Sequence, residues 1–245
     1  MKQLGEQGVS STNGKVYGLG LGPGDPDLIT VKALKILQTA DVIAYPSAEG
    51  VPSLVRSIAA PNLPGHQIEI DMAMPMAVER FPAKQVYDKA AIEIKAHAEQ
   101  GRTIAVLCEG DPFFFGSFMY LYQRLVSQLE IEIVPGVTSV AACASVAGLP
   151  LVARNESLTV LPGPLDDQAL EARLEQADAF VIMKVGRHFL RLKALLSKLG
   201  YLERAWYIER ATMEQQKVAM LGDVEQATAP YFSMILVHKR GRADA

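Results

Sequence analysis

Residues 15–30 read KVYGLGLGPGDPDLIT, and this stretch decides the fold. Its first half is an apolar run punctuated by glycine. Its second half ends at Thr30, which can cap a helix over VKALKILQT with Leu34 and Leu37 on one face. A buried strand passing through a glycine turn into a capped helix is the opening step of an α/β protein. Gly18, Gly20, Gly22 and Gly24 recur every second residue. Neither register completes the dinucleotide pattern G-x-G-x-x-G, because the third glycine position holds Pro23 in one and Asp25 in the other. An aspartate there repels a diphosphate, and no lysine completes a phosphate loop. Two readings stay open: a plain strand-to-helix turn, or a close approach of backbone to ligand that Pro23 stiffens.

Outward from this stretch, strand and helix signals alternate. DVIAY (41–45) and TIAVLC (103–108) read as strands. AKQVYDKAAIEIKAHAEQ (83–100) reads as a helix, with Val86, Ala90, Ile94 and Ala98 four apart and Gly101 closing it. A further helix is expected over most of 117–128. IEIVPG (131–136) then opens what reads as a second unit. There VTSVAACASVAG is a helix of small side chains and RHFLRLKALLSKLG another. SLTVLPG, AFVIMKVG, AWYIERAT, KVAMLGD and FSMILVHK supply strands. The last three strands follow one another closely, which predicts antiparallel pairs and a mixed sheet beside a mostly parallel first one. The expected division is a mobile polar tail over 1–14, one α/β domain over 15–128 and a second over 129–245.

The chain has 245 residues, 49% hydrophobic and 21% charged, enough for a sizeable core. With 24 basic and 27 acidic side chains the net charge is -3, so no global field draws it to nucleic acid or an anionic membrane. The N-terminus lacks the apolar core of a secretory signal, and no run reaches the roughly 18 apolar residues of a membrane span. A cytoplasmic protein is expected. Cys108 and Cys143 form neither a disulfide framework nor a zinc cluster and read as buried, inert thiols. His66, His97, His188 and His238 show no metal-ligand spacing, so no metal is expected.

Three loops at strand ends carry the chemistry-bearing residues. The first is the glycine stretch. The second, CEGDPFFFG (108–116), sets Glu109 and Asp111 beside Gly110, followed by Phe113, Phe114 and Phe115. Such a loop suits a cationic or hydroxylated ligand with stacking surface, or is a solvated turn leading to core aromatics. The third, PGVTS (135–139), lets Thr138 or Ser139 cap the small-residue helix and presents free N–H groups at its start. Acids, aromatic surface, bare backbone and a helix terminus are together what S-adenosyl-L-methionine requires.

GLGLGPGDPDLITVKALKILQTADVIAYP, LCEGDPFFFGSF, IVPGVTSVAACASVAGLPL and VIMKVG, in that order, resemble the successive signatures of the tetrapyrrole (corrin and sirohaem) methylase family. The likeness runs from about Lys15 to His238. IDMAMPM, CEGDPFFFGSFMY and VIMKVGRH bring it nearest to the branch that methylates carbon 20 of precorrin-2. The resemblance implies two α/β domains of the class III methyltransferase kind and a homodimer serving cobalamin synthesis. It further implies S-adenosyl-L-methionine in the interdomain cleft, leaving as S-adenosyl-L-homocysteine after in-line methyl transfer to a ring-bridge carbon. Carried over by position, Pro23 lines the cofactor site. Glu109, Gly110, Asp111 and Phe114 hold the methionine part and ribose, Thr138 and Ser139 continue that wall, and Met183 and Ala211 flank the adenine. Glu109 and Asp111 are also the candidates for taking up a proton. The aspartate that follows the strand tyrosine in uroporphyrinogen methylases is replaced here by Pro46, so that role does not transfer.

A macrocycle bearing carboxylate arms needs cations, and Arg154, Lys184, Arg187 and Arg210 are the candidates, each with an ordinary surface charge as its alternative. Met72, Met74 and Met76 form either an adaptable apolar surface against the macrocycle or ordinary strand packing. Rival readings are a nicotinamide oxidoreductase, a diphthine-synthase-like methylase, a cobalt-precorrin-2 methylase, and a tetrapyrrole carrier without catalysis.

Overall fold

The computed structural model describes residues 13–75 and 80–241, with the backbone path alone over 80–83. The expected tail over 1–14 and Met76 therefore lie wholly or largely outside the described residues. The chain forms two units: residues up to Gly22 with Pro26–Val137, and Pro23–Asp25 with Thr138–Ala245.

The first unit is a five-stranded sheet. Its strands are β1 (Val16–Gly20), β2 (Val42–Ala48), β3 (Ile68–Met74), β4 (Ile104–Cys108) and β5 (Ile131–Val134). They lie in the order β3-β2-β4-β1-β5, every pairing parallel. Helices α1 (Val31–Thr39) and α2 (Leu54–Ala59) cover one face, over Leu19, Ile43, Ala105 and Leu107. Helices α3 (Arg80–Ala98) and α4 (Phe118–Leu125) cover the other, over Val42, Ala44, Ile70 and Val106. Burial on both faces explains why β1 and β4 read as unbroken apolar runs rather than alternating ones. Thr30 caps α1, its hydroxyl accepting from the Ala33 N–H at 3.3 Å. Met72 is buried in the sheet and Met74 packs beside it, so for these two ordinary strand packing is what the fold shows.

The second unit holds α5 (Ser139–Ala147), β6 (Leu158–Pro162), α6 (Asp167–Glu175), β7 (Ala179–Met183), α7 (Phe189–Lys198), β8 (Ala205–Glu209), β9 (Lys217–Met220) and β10 (Ser233–His238). Its sheet runs β6-β7-β10-β8-β9. β6 and β7 are parallel, while β10 is antiparallel to β7 and β8, and β9 antiparallel to β8. The sheet is mixed, as the close succession of its last strands predicts. Helices α6 and α7 pack on one face through Leu170, Leu174, Phe189, Leu192 and Leu196. α5 packs on the other, Val140 and Cys143 meeting Val181, Ile208 and Leu236.

The division falls between Val137 and Thr138, not near residue 128 as expected. β5 is the reason: Val16 to Leu19 of β1 pair with Ile131 to Val134, which ties 131–134 into the first sheet. Cys108 and Cys143 are buried, and desolvation pushes the Cys143 thiol up to about 12, so both stay protonated.

Candidate active site

In the first unit β1 and β4 are neighbours, yet the helices that follow them, α1 and α4, pack on opposite faces of the sheet. That reversal makes their carboxyl ends a switch point, the standard ligand position in open α/β sheets. The strand ends are brought together by glycine. Gly22 and Gly110 form an antiparallel bridge, the Gly110 N–H donating to Gly22 O at 2.7 Å and the Gly22 N–H to Gly110 O at 3.3 Å. A Cβ on Gly20 would lie 2.5 Å from Gly136 N and 2.6 Å from Gly110 O. One on Gly136 would lie 2.1 Å from Gly110 O. Loops after three adjacent strands thus meet backbone to backbone.

Asp111 locks this junction. Its Oδ1 accepts from the N–H groups of Phe113 (2.9 Å) and Phe114 (3.1 Å), and its Oδ2 from the Gly136 N–H (3.1 Å). One carboxylate therefore ties the loop after β4 to the loop after β5. Phe113, Phe114 and Phe115 are all substantially exposed, the rings of Phe114 and Phe115 edge to face at 5.5 Å, and Phe115 adopts a left-handed φ of 57°. The core aromatic here is Phe118, whose ring fills the space beside Gly18.

Glu109 points elsewhere. Its carboxyl is desolvated, which raises its pKa, and it accepts from the backbone N–H of Val55 in the first turn of α2. Because its folded pKa lies above the unfolded value, folding binds the proton more tightly, and this group's contribution falls as pH rises through the folded pKa. Glu109→Gln is therefore expected to raise stability near pH 8, with the gain vanishing below about pH 4.5, when denaturant unfolding is measured at both pH values.

In the second unit, β7 and β8 both end on the same edge of the sheet, flanking the start of β10: Met183 pairs with Met234 and Glu209 with Ser233. Lys184 and Arg210, the next residues along, thus stand two strand spacings apart, about 10 Å. Both adopt left-handed φ, 56° and 46°, which non-glycine residues hold only when their surroundings impose it. Arg187 lies on the 3-10 turn Gly186–His188 just after β7. Its Nε donates to His188 Nε2 at 3.4 Å, and desolvation with the nearby Arg191 and Arg187 charges lowers the His188 pKa, favouring the neutral acceptor. Arg154 is at the other end. It sits in the turn before β6, also at left-handed φ (47°), where Glu156 Oε2 accepts from the Ala153 N–H at 2.7 Å. The four expected cations therefore do not form one set, since strand direction separates Arg154 from the other three. Near that far end His238, 1% exposed, places Nε2 3.2 Å from the same Glu156 carboxylate, which Arg240 also pairs.

Met183 and Ala211 share an apolar cluster with Val140, Ala142 and Cys143 of α5. Thr138 caps that helix, accepting from the Ala141 N–H at 3.3 Å, so its hydroxyl is spent on the cap while Ser139 opens the first turn. Just before Arg210, the buried Glu209 would be disfavoured as an anion by desolvation, but Tyr207 Oη (2.7 Å), Gln226 Nε2 (2.8 Å) and Lys217 hold it below the usual carboxylate range. The tip Pro23–Asp25 packs in this unit, the Asp25 N–H donating to Thr212 Oγ1 at 3.2 Å. Sequence reading passes over Thr212, since a left-handed threonine leaves no mark in the sequence. Among the described residues no group of three or more His, Cys, Asp or Glu could hold a metal ion.

The model of the family described as Tetrapyrrole (Corrin/Porphyrin) Methylases matches residues 15–227. The chain is a tetrapyrrole methylase. This methylase is 40% identical over 232 residues to a precorrin-2 C(20)-methyltransferase of Sinorhizobium sp., covering 91% of this chain and 95% of that one. It is 38% identical to a cobalt-precorrin-2 C(20)-methyltransferase of Salmonella typhimurium, covering 93% and 98%. Among solved structures, uroporphyrin-III C-methyl transferase from Thermus thermophilus complexed with S-adenyl homocysteine superposes with a TM-score of 0.66 at 26% identity, covering 92% of each chain. The glycine junction and the Asp111 clamp are therefore features of a methylase.

Proposed function

We propose that this methylase transfers a methyl group from S-adenosyl-L-methionine to carbon 20 of precorrin-2, giving precorrin-3A. The observation that carries the reading is the junction of Gly20, Gly110 and Gly136, whose backbones approach too closely for any Cβ and so hold the loops after β1, β4 and β5 together at the switch point of the sheet. It stands in a chain matched nearly end to end by a C(20)-methyltransferase.

The residues present fit an S-adenosyl donor. In the first unit the bare main chain at Gly110, the edge of Phe114 and the loop set by Asp111 offer contacts for its amino-acid and ribose parts. In the second unit Pro23, Thr138, Ser139, Met183 and Ala211 offer apolar wall and backbone for its base. When bound, that donor supplies a methyl group made electrophilic by a sulfonium. The protein's own work is placement: glycine contacts and the Asp111 clamp fix the loops before ligands arrive, where orientation contributes most to rate. Asp111 commits both oxygens to backbone donors, so its part is to orient the loops. Glu109, whose buried carboxyl accepts from the Val55 N–H of α2, is held away from the junction too, so neither acid is assigned the proton. Lys184, Arg187 and Arg210 pair substrate carboxylates from one sheet edge, and Arg154 is dropped from that set. The reading includes a homodimer in the cytoplasm. Light scattering after gel filtration and cell fractionation test those two features.

The Salmonella relative favours a second reading, in which the ring already holds cobalt. Anaerobic incubation with labelled S-adenosyl-L-methionine and either precorrin-2 or its cobalt form separates the two. One added methyl at carbon 20 of precorrin-2 is the expected result, and no label in either product overturns the assignment. Transfer to the cobalt form alone selects the second reading.

A further inference from the structure

Five non-glycine residues among those described adopt left-handed φ, and Thr212, at 69°, is the one with a β-branched side chain. That conformation is a true outlier for such a residue and persists only where the surroundings impose it. Two hydrogen bonds show what imposes it. The Thr212 N–H donates to Gln216 Oε1 at 2.7 Å, and Thr212 Oγ1 accepts the Asp25 N–H at 3.2 Å, across 187 residues of sequence. The contact is tight enough to need glycine beside it: a Cβ on Gly24 would lie 2.5 Å from Met213 Cγ and 3.2 Å from Thr212 Oγ1. The Met213 N–H donates to Arg210 O at 3.0 Å, so the turn that carries Arg210 and Ala211 is closed from both sides.

We infer that Thr212 is a positioning residue for cofactor binding: its strained backbone turns the hydroxyl onto the Pro23–Asp25 tip and seats that tip against the turn holding Ala211. The inference rests on the proposed use of Pro23 and Ala211 toward S-adenosyl-L-methionine.

Two variants of the full chain test it, read by thermal midpoint without ligand and by calorimetric binding of S-adenosyl-L-homocysteine. Glycine holds φ near 69° without strain. Thr212→Gly is therefore expected to leave the midpoint unchanged or raise it while weakening binding about tenfold, the size of one lost hydrogen bond. Thr212→Ser keeps the hydroxyl and is expected to bind within about threefold of the parent. A parent-like affinity in Thr212→Gly overturns the inference. So does a lowered midpoint with a matching loss of affinity in both variants, which is what a merely structural threonine would give. A parent protein that binds no S-adenosyl-L-homocysteine overturns the proposed function and this inference with it.

Discussion

Gly136→Ala is expected to weaken cofactor binding roughly 100-fold while leaving a folded second unit. The added Cβ would sit 2.1 Å from Gly110 O and 2.8 Å from Gly20 Cα. No rotamer change can relieve it, because every atom it meets is backbone. Restoring ordinary contact needs a shift of about 1 Å or more in the loop after β4 or β1. Overpacking of this kind costs about 3 kcal/mol, and a misplacement of about 1 Å at a positioning site costs roughly 100-fold in function. Denaturant unfolding and calorimetry with S-adenosyl-L-homocysteine read the two effects. Gly222→Ala is the control: its Cβ would find nothing nearer than 3.7 Å, and it should behave as the parent.

Asp111→Ala is expected to give the second large loss, and Asp111→Asn should fall between it and the parent. Alanine removes the acceptor for three backbone N–H groups, two on Phe113 and Phe114 and one on Gly136. Bonds to a charged acceptor are worth more than neutral ones, but this loop is open to water, so about 2–3 kcal/mol in unfolding free energy is the expected loss. Asparagine can keep the local pair through Oδ1, but its amide then faces the Gly136 N–H as donor against donor. Equal losses in the two variants would show that the Phe113 and Phe114 bonds contribute nothing, whereas a parent-like Asp111→Asn would show that the Gly136 bond contributes nothing.

The fold was legible wherever one element carried its own signal. Thr30 before VKALKILQT marked α1, and Gly148, left-handed at the end of α5, closed the small-residue helix. The unit boundary was not legible. IEIV is four residues long, and its partnership with β1 is a non-local parallel pairing that leaves no trace in either segment. α6 offered only Leu170 and Leu174 as fully buried positions among charged residues, too few to mark a face. At the site, the loops could be found because strand ends with glycine and acid are unusual. The roles of their side chains could not. Asp111 reads as a ligand or a base until its three backbone donors are seen, and Arg154 reads like Arg210 until strand direction puts them at opposite ends of one sheet.

The position of β1 has a consequence for how the chain is made. Val16–Gly20 leaves the ribosome ahead of both its sheet neighbours, Ile104–Cys108 and Ile131–Val134, which are synthesised long afterwards. An apolar segment that must wait for distant partners delays the closing of its sheet and stays open to chaperones and to stray pairing meanwhile. Synthesis arrested before residue 131 would leave this strand with one edge uncovered, whereas a nascent chain long enough for Ile131–Val134 to clear the ribosome would hold the finished sheet.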